Sequence, residues 1–84
     1  MEPIEVQNLI QQGLGGVTVQ VTGDGSHFEA VVIGEMFAGM SPVKRQQAVY
    51  GPITGYITSG AIHALSIKAY TPDEWEKARK LKVS

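Results

Sequence analysis

Two histidines are the side chains of this 84-residue chain best suited to chemistry, and each stands where a strand is expected to start. His27 lies in "TGDGSHFEAVVIG" and His63 lies in "AIHALSIKAYTPDEW". Neutral imidazole is a good ligand for zinc, copper and iron, so two such strand starts that converge at one sheet edge would supply half of a metal site. The structural alternative is a partly buried His63, in phase with Leu65 and Ile67 and bonded to a carbonyl, with His27 as a loop residue.

The chain contains no cysteine. This excludes disulfides, a zinc ribbon and a cysteine nucleophile. An iron–sulfur cluster would have to take its thiolates from a partner.

Basic residues suggest a different class of function. The net charge is −1, but residues 1–43 contain no Lys or Arg, and all seven bases fall in residues 44–84. Phosphate contacts could come from two groups of these side chains. They are Lys44, Arg45, Lys77, Arg79 and Lys80. The alternative is solvated helix ends, where basic residues also complement the helix dipole.

The first half of the chain predicts a helix followed by a β-hairpin. Pro3 suits a first helical position, and Gly13 fits a helix stop. "GVTVQVTG" alternates apolar and polar residues, as in a half-buried strand. The pair Asp24–Gly25 predicts a turn into "HFEAVVIG", whose continuous apolar residues are typical of a central strand.

The second half predicts a broken helix, a strand and a final helix. Ser41 before proline is a good N-cap, and Pro52 should break the helix near Gly51. Gly60 then closes this element, and "IHALSIKAY" is expected to be the third strand, with His63 on it.

A capping box at Thr71–Glu74 should start the last helix, which is expected to run through Lys82. The element order is therefore αββαβα, which indicates an α+β fold with a small mixed sheet. Residues 1–84 are expected to form a single domain because the chain is too short for two cores. No apolar run approaches the roughly 20 residues of a membrane span, and we expect a cytoplasmic protein.

Three segments, "DGSHF", "FAGMSPVKRQQAVYG" and "IHALSIKAYTPDEW", resemble the BolA family, specifically its IbaG-type acid-stress branch. The resemblance covers nearly the whole chain, and the block from His63 to Trp75 is its most specific part. It implies a KH-like (class II) fold, in agreement with the predicted element order.

The resemblance also implies a function, that of a non-enzymatic adaptor in iron–sulfur trafficking and iron homeostasis. BolA-like proteins pair with monothiol glutaredoxins and share a [2Fe–2S] cluster with them. The family's ligand positions fall on His63 and His27, and the partner would contribute its active-site cysteine and a glutathione thiolate. Two imidazoles in place of thiolates on one iron should raise the reduction potential.

A DNA-binding regulator on the KH-like fold is the alternative function. Other family members carry an Arg-His-Arg motif in the long helix, where this chain has Lys44, Arg45, Gln46 and Gln47. The proposed DNA-binding role therefore carries over less well than the cluster role. The sequence leaves a homodimer open.

Overall fold

The protein has the predicted order of helices and strands around one mixed sheet. The computed structural model describes residues 1–24 and 27–82. Its elements are α1 (Pro3–Leu14), β1 (Thr18–Gly23), β2 (His27–Ile33), α2 (Pro42–Tyr50), α3 (Thr54–Thr58), β3 (Ala64–Tyr70) and α4 (Pro72–Lys82). Short 3₁₀ turns cover Glu35–Phe37 and Gly51–Ile53. No helix in this part of the chain is long and apolar enough to cross a membrane.

The sheet has the order β1-β2-β3, which confirms β2 as the central strand. β1 and β2 pair antiparallel as a hairpin, whereas β2 and β3 pair parallel. Parallel neighbours need a long crossover connection, and α2 and α3 lie in that connection. The predicted turn residue Gly25 lies outside the described residues.

The core lies between one face of the sheet and the helices. Along β2, Phe28, Ala30 and Val32 are buried, whereas His27 and Glu29 are exposed. This alternation places every second side chain of the strand toward the helices. The other buried apolar side chains are Val6, Ile10, Val17, Val19, Phe37, Val49, Ile53 and Ile62.

Gly13 does not end the first helix, contrary to the sequence prediction. The helix continues to Leu14, and Gly15 follows it with a φ of 67°, a conformation that glycine adopts readily. Gly13 has a packing role instead, because a Cβ atom there would lie 2.4 Å from Cβ of Pro52. The close approach of Pro52 explains a glycine inside the last turn of α1.

The predicted break at Pro52 is confirmed. Ser41 caps α2, since its Oγ accepts a hydrogen bond from the Lys44 N–H at 3.3 Å. α2 ends at Tyr50, the chain passes through a 3₁₀ turn that contains Pro52, and α3 begins at Thr54. Proline lacks the N–H that a continuous helix would use at this point.

Side chains of α2 bind carbonyl groups along the outer edge of β3. The Tyr50 hydroxyl donates to the Leu65 carbonyl at 3.3 Å, and Arg45 Nη1 donates to the Ala69 carbonyl at 3.1 Å. The Tyr70 carbonyl points the other way and accepts from the Gly34 N–H. Carbonyls of successive residues in a strand point to opposite sides, so Leu65 and Ala69 present theirs on one side, away from β2.

Arg45 also binds the last helix, α4, through Glu74. Its guanidinium makes two hydrogen bonds to the Glu74 carboxylate, at 2.5 and 3.1 Å, and its Nε donates to the Met40 carbonyl at 3.0 Å. Glu74 and Thr71 form the predicted capping box, with bonds of 2.9 and 3.2 Å. Near this junction the rings of Tyr70 and Trp75 lie 5.5 Å apart. One guanidinium therefore joins α2, the end of β3 and the start of α4.

Replacing Gly13 with alanine should destabilise the protein by about 1–3 kcal/mol, because the added methyl group overlaps Pro52. Gly55→Ala is the matched control, since it also lies in a helix but has open space around its Cβ position. Urea unfolding measures both variants. Equal stability of Gly13→Ala and Gly55→Ala would contradict the packing role of Gly13.

The stability that Glu74 contributes should depend on pH. Hydrogen bonds from Arg45, and then from the Thr71 backbone, lower the pKa of the Glu74 carboxyl from 4.5 to about 2. A folded-state pKa below the unfolded one means that the contribution is complete above about pH 4.5 and is lost as the pH falls toward 2. The difference in unfolding free energy between the wild type and Glu74→Gln should therefore shrink over this range.

The same comparison in an Arg45→Met background provides the control. Without the guanidinium, the difference in unfolding free energy that Glu74→Gln produces should lose most of its pH dependence. A difference that stays constant from pH 7 to pH 2 when Arg45 is present would contradict the ion-pair assignment.

Candidate metal-binding edge of the sheet

His27 is the first residue of β2, and both its backbone N–H and its backbone carbonyl are hydrogen-bonded. Its N–H donates to Asp24 Oδ1 at 2.9 Å, and its carbonyl accepts from the Asp24 N–H at 3.2 Å. The side chain is exposed, whereas the neighbouring Phe28 is 3% exposed. His27 is therefore an ordered strand residue rather than a loop residue.

His63 precedes the third strand instead of lying on it, which corrects the sequence prediction. β3 begins at Ala64, whose pairing partner is His27. Because His27 is itself the first residue of β2, the ladder offers His63 no partner on that strand. The preceding residue, Ile62, is 1% exposed, and its N–H donates to the Tyr56 carbonyl at 3.0 Å. The side chain of His63 itself is exposed rather than partly buried.

The parallel pairing brings the two histidines to the same edge of the sheet. His27 lies opposite Ala64, the residue that follows His63, and paired strands run about 4.8 Å apart. Within residues 1–24 and 27–82, neither imidazole makes a hydrogen bond or ion pair. The structural alternative, a His63 bonded to a carbonyl, is thus not what the structure contains.

This pair of imidazoles fits half of a metal site. Among the described residues, no group of three or more His, Cys, Asp or Glu side chains could hold a metal ion. Thiolates are the usual ligands of a [2Fe–2S] cluster, and in Rieske centres two imidazoles replace two of them on one iron. The donors of this edge therefore fit one iron of such a cluster, with the remaining ligands coming from another molecule.

The basic side chains that the sequence assigns to a nucleic-acid site have different environments. The side chain of Arg45 is only 15% exposed and is bonded within the fold. Arg79 pairs with Glu76 at 3.0 Å and lowers the pKa of that carboxyl. Lys44, Lys77 and Lys80 are exposed and form no ion pair in the described part of the chain.

A cleft of about 200 Å³ lies between α2 and β3, toward the carboxyl end of β3 and away from the histidines. Pro42, Arg45 and Gln46 line one side, and residues 67–70 line the other. Neither this cleft nor the hydrogen bonds between Asp24 and the His27 backbone are predicted from the sequence. Aspartate before glycine at a hairpin turn is a recognisable signal for such a backbone contact.

The chain is similar to known proteins over most of its length, in sequence and in structure. The profile described as "BolA-like protein" matches residues 3–74. The acid stress protein IbaG of Escherichia coli K12 is 54% identical over 81 residues, which cover 96% of each chain.

Two solved structures extend the comparison. A bolA protein homologue from Coxiella burnetii has a TM-score of 0.81 and 40% identity, covering 90% of this chain and 97% of its own. Yeast Fra2 has a TM-score of 0.74 and 29% identity, covering 100% of this chain and 94% of its own. The match over most of the chain, in sequence and in structure, shows that this protein belongs to the BolA-like family.

Proposed function

We propose that this protein is a non-enzymatic adaptor that binds a monothiol glutaredoxin and shares a [2Fe–2S] cluster with it. His63 and His27 supply the nitrogen ligands. The partner supplies its active-site cysteine and the thiolate of a bound glutathione. The cluster is cargo in iron–sulfur trafficking and iron homeostasis, and when bound it supplies one-electron redox chemistry.

The observation that carries this proposal is the placement of two exposed histidines at the same end of the sheet. The pairing of His27 with Ala64 places His63 next to the start of β2. Both side chains are exposed, and neither is used in a hydrogen bond among the described residues. Exposed ligands at the end of two strands can be reached by a second protein, which a buried site would not allow.

The composition supports the division of ligands between two proteins. This chain has no cysteine, so the sulfur ligands of the cluster come from elsewhere. The similarity to a protein named for acid stress supports a role in the acid-stress response. Imidazole binds a metal only when unprotonated, so histidine ligation makes the shared cluster sensitive to acid.

The first test is anaerobic cluster assembly on a monothiol glutaredoxin with glutathione, to which this protein is added. We expect a new visible absorption and circular dichroism spectrum at one-to-one stoichiometry. His63→Ala should abolish it, because the substitution removes one nitrogen ligand. Ser66→Ala is the control, since Ser66 is also exposed near the start of β3 and is not a proposed ligand.

Far-ultraviolet circular dichroism establishes that both variants are folded. A wild-type spectrum that never differs from that of the glutaredoxin alone would refute the adaptor proposal. Equal spectra for the wild type and a folded His63→Ala variant would refute His63 as a ligand.

The exposed Lys44, Lys77 and Lys80 are the support from geometry for the nucleic-acid alternative. We expect no measurable binding to random duplex DNA at low salt, because Arg45 and Arg79 already have carboxylate partners. Fluorescence anisotropy across salt concentrations is the measurement. Affinity that falls steeply with the logarithm of salt concentration would instead indicate several phosphate contacts and favour the alternative.

A further inference from the structure

Asp24 holds the backbone of the second proposed ligand. We propose that Asp24 is a positioning residue for His27, an inference that rests on the adaptor function proposed above. The carboxylate accepts the His27 N–H, while the Asp24 N–H donates to the His27 carbonyl. Both polar backbone groups of His27 are thus bonded to one residue at the end of β1.

The neighbouring glycine shows how closely the hairpin packs at this point. A Cβ atom on Gly23 would lie 2.4 Å from the His27 carbonyl oxygen and 2.7 Å from Cδ1 of Phe28. Gly23 therefore allows the close approach of the two strands, and Asp24 supplies the bonds that hold them there. Gly23, the last residue of β1, and Asp24, which follows it, thus act on the same backbone position.

The register of the hairpin decides which way the imidazole faces. Side chains of a strand alternate between faces, and here Phe28 and Ala30 are buried while His27 and Glu29 are exposed. A slip by one residue would move His27 to the core face and Phe28 to solvent. By fixing the first residue of β2, Asp24 keeps His27 on the exposed side, opposite Ala64 and close to His63.

A metal ligand whose backbone is held by hydrogen bonds is preorganised in the metal-free protein. When a metal binds to ligands that are already held in place, less free energy is lost in ordering those ligands. Asp24 does not need to touch the metal for this effect. Removing its acceptor oxygen should loosen His27 while leaving both imidazoles in the chain.

Two variants of Asp24 test the inference. Asp24→Ala removes the acceptor, whereas Asp24→Asn keeps an Oδ1 that can accept the same N–H. Thr22→Ala is the control, because Thr22 is exposed on β1, two residues before Asp24, and has no bond to His27. The first readout is amide hydrogen exchange of His27 by NMR in the free protein, and the second is the visible circular dichroism of the complex with glutaredoxin and glutathione.

We expect Asp24→Ala to speed His27 amide exchange about tenfold or more, as for the loss of one hydrogen bond to a charged acceptor. The cluster spectrum of this variant should change in the same sense as that of His27→Ala. Thr22→Ala should match the wild type in both readouts, and Asp24→Asn should lie much closer to the wild type than Asp24→Ala does.

Unchanged exchange in Asp24→Ala would overturn the inference. So would faster exchange with a wild-type cluster spectrum, because Asp24 would then be structural only. If the wild type forms no shared cluster, the adaptor proposal fails, and the exchange measurement still decides by itself whether Asp24 fixes His27.

Discussion

The parallel pairing of β2 with β3 is the constraint on which the rest of this structure depends. Strands that run in the same direction have their starts at the same edge, and this brings His27 and His63 together across 35 residues of intervening chain. The same pairing requires a crossover, and the α2–α3 segment that forms it also provides Val49 and Ile53 to the core. The histidine edge and the hydrophobic core are thus products of one topological choice.

Arg45 shows how a charged side chain can serve the fold rather than a ligand. Its guanidinium presents several fixed donors, which suit a carboxylate and nearby carbonyls at the same time. Here the donors reach Glu74 and the carbonyls of Met40 and Ala69. In the sequence, Lys44 and Arg45 form a basic pair whose members look equivalent. The structure shows that Arg45 is hydrogen-bonded within the fold, whereas Lys44 is exposed.

Local signals predicted most of the fold, and contacts between distant residues account for the differences. The cap at Ser41, the break at Pro52 and the capping box at Thr71 depend on a few neighbouring residues, and all three are confirmed. Glycine is a common helix stop, so the sequence predicts that α1 ends at Gly13. The close approach of Pro52, which explains this glycine, is a contact between distant residues that helix signals do not show. Periodicity also starts the third strand too early, at Ile62 instead of Ala64, because it does not show where the partner strand begins.

The candidate site was predicted only in outline. Its two histidines and their placement at the same end of the sheet follow from strand starts in the sequence, and the family resemblance supplies the role proposed for them. The Asp24 contact and the hydrogen bonds from Tyr50 and Arg45 depend on side-chain geometry that spacing does not determine.

The hydrogen bonds from Tyr50 and Arg45 to β3 also affect how the sheet can associate with other strands. With the outward carbonyls of Leu65 and Ala69 already occupied, β3 is a poor template for an additional strand, so sheet extension and edge-to-edge aggregation are disfavoured on that side. On the proposed function, a partner protein that binds the histidines would therefore approach the ends of the strands rather than the outer side of β3.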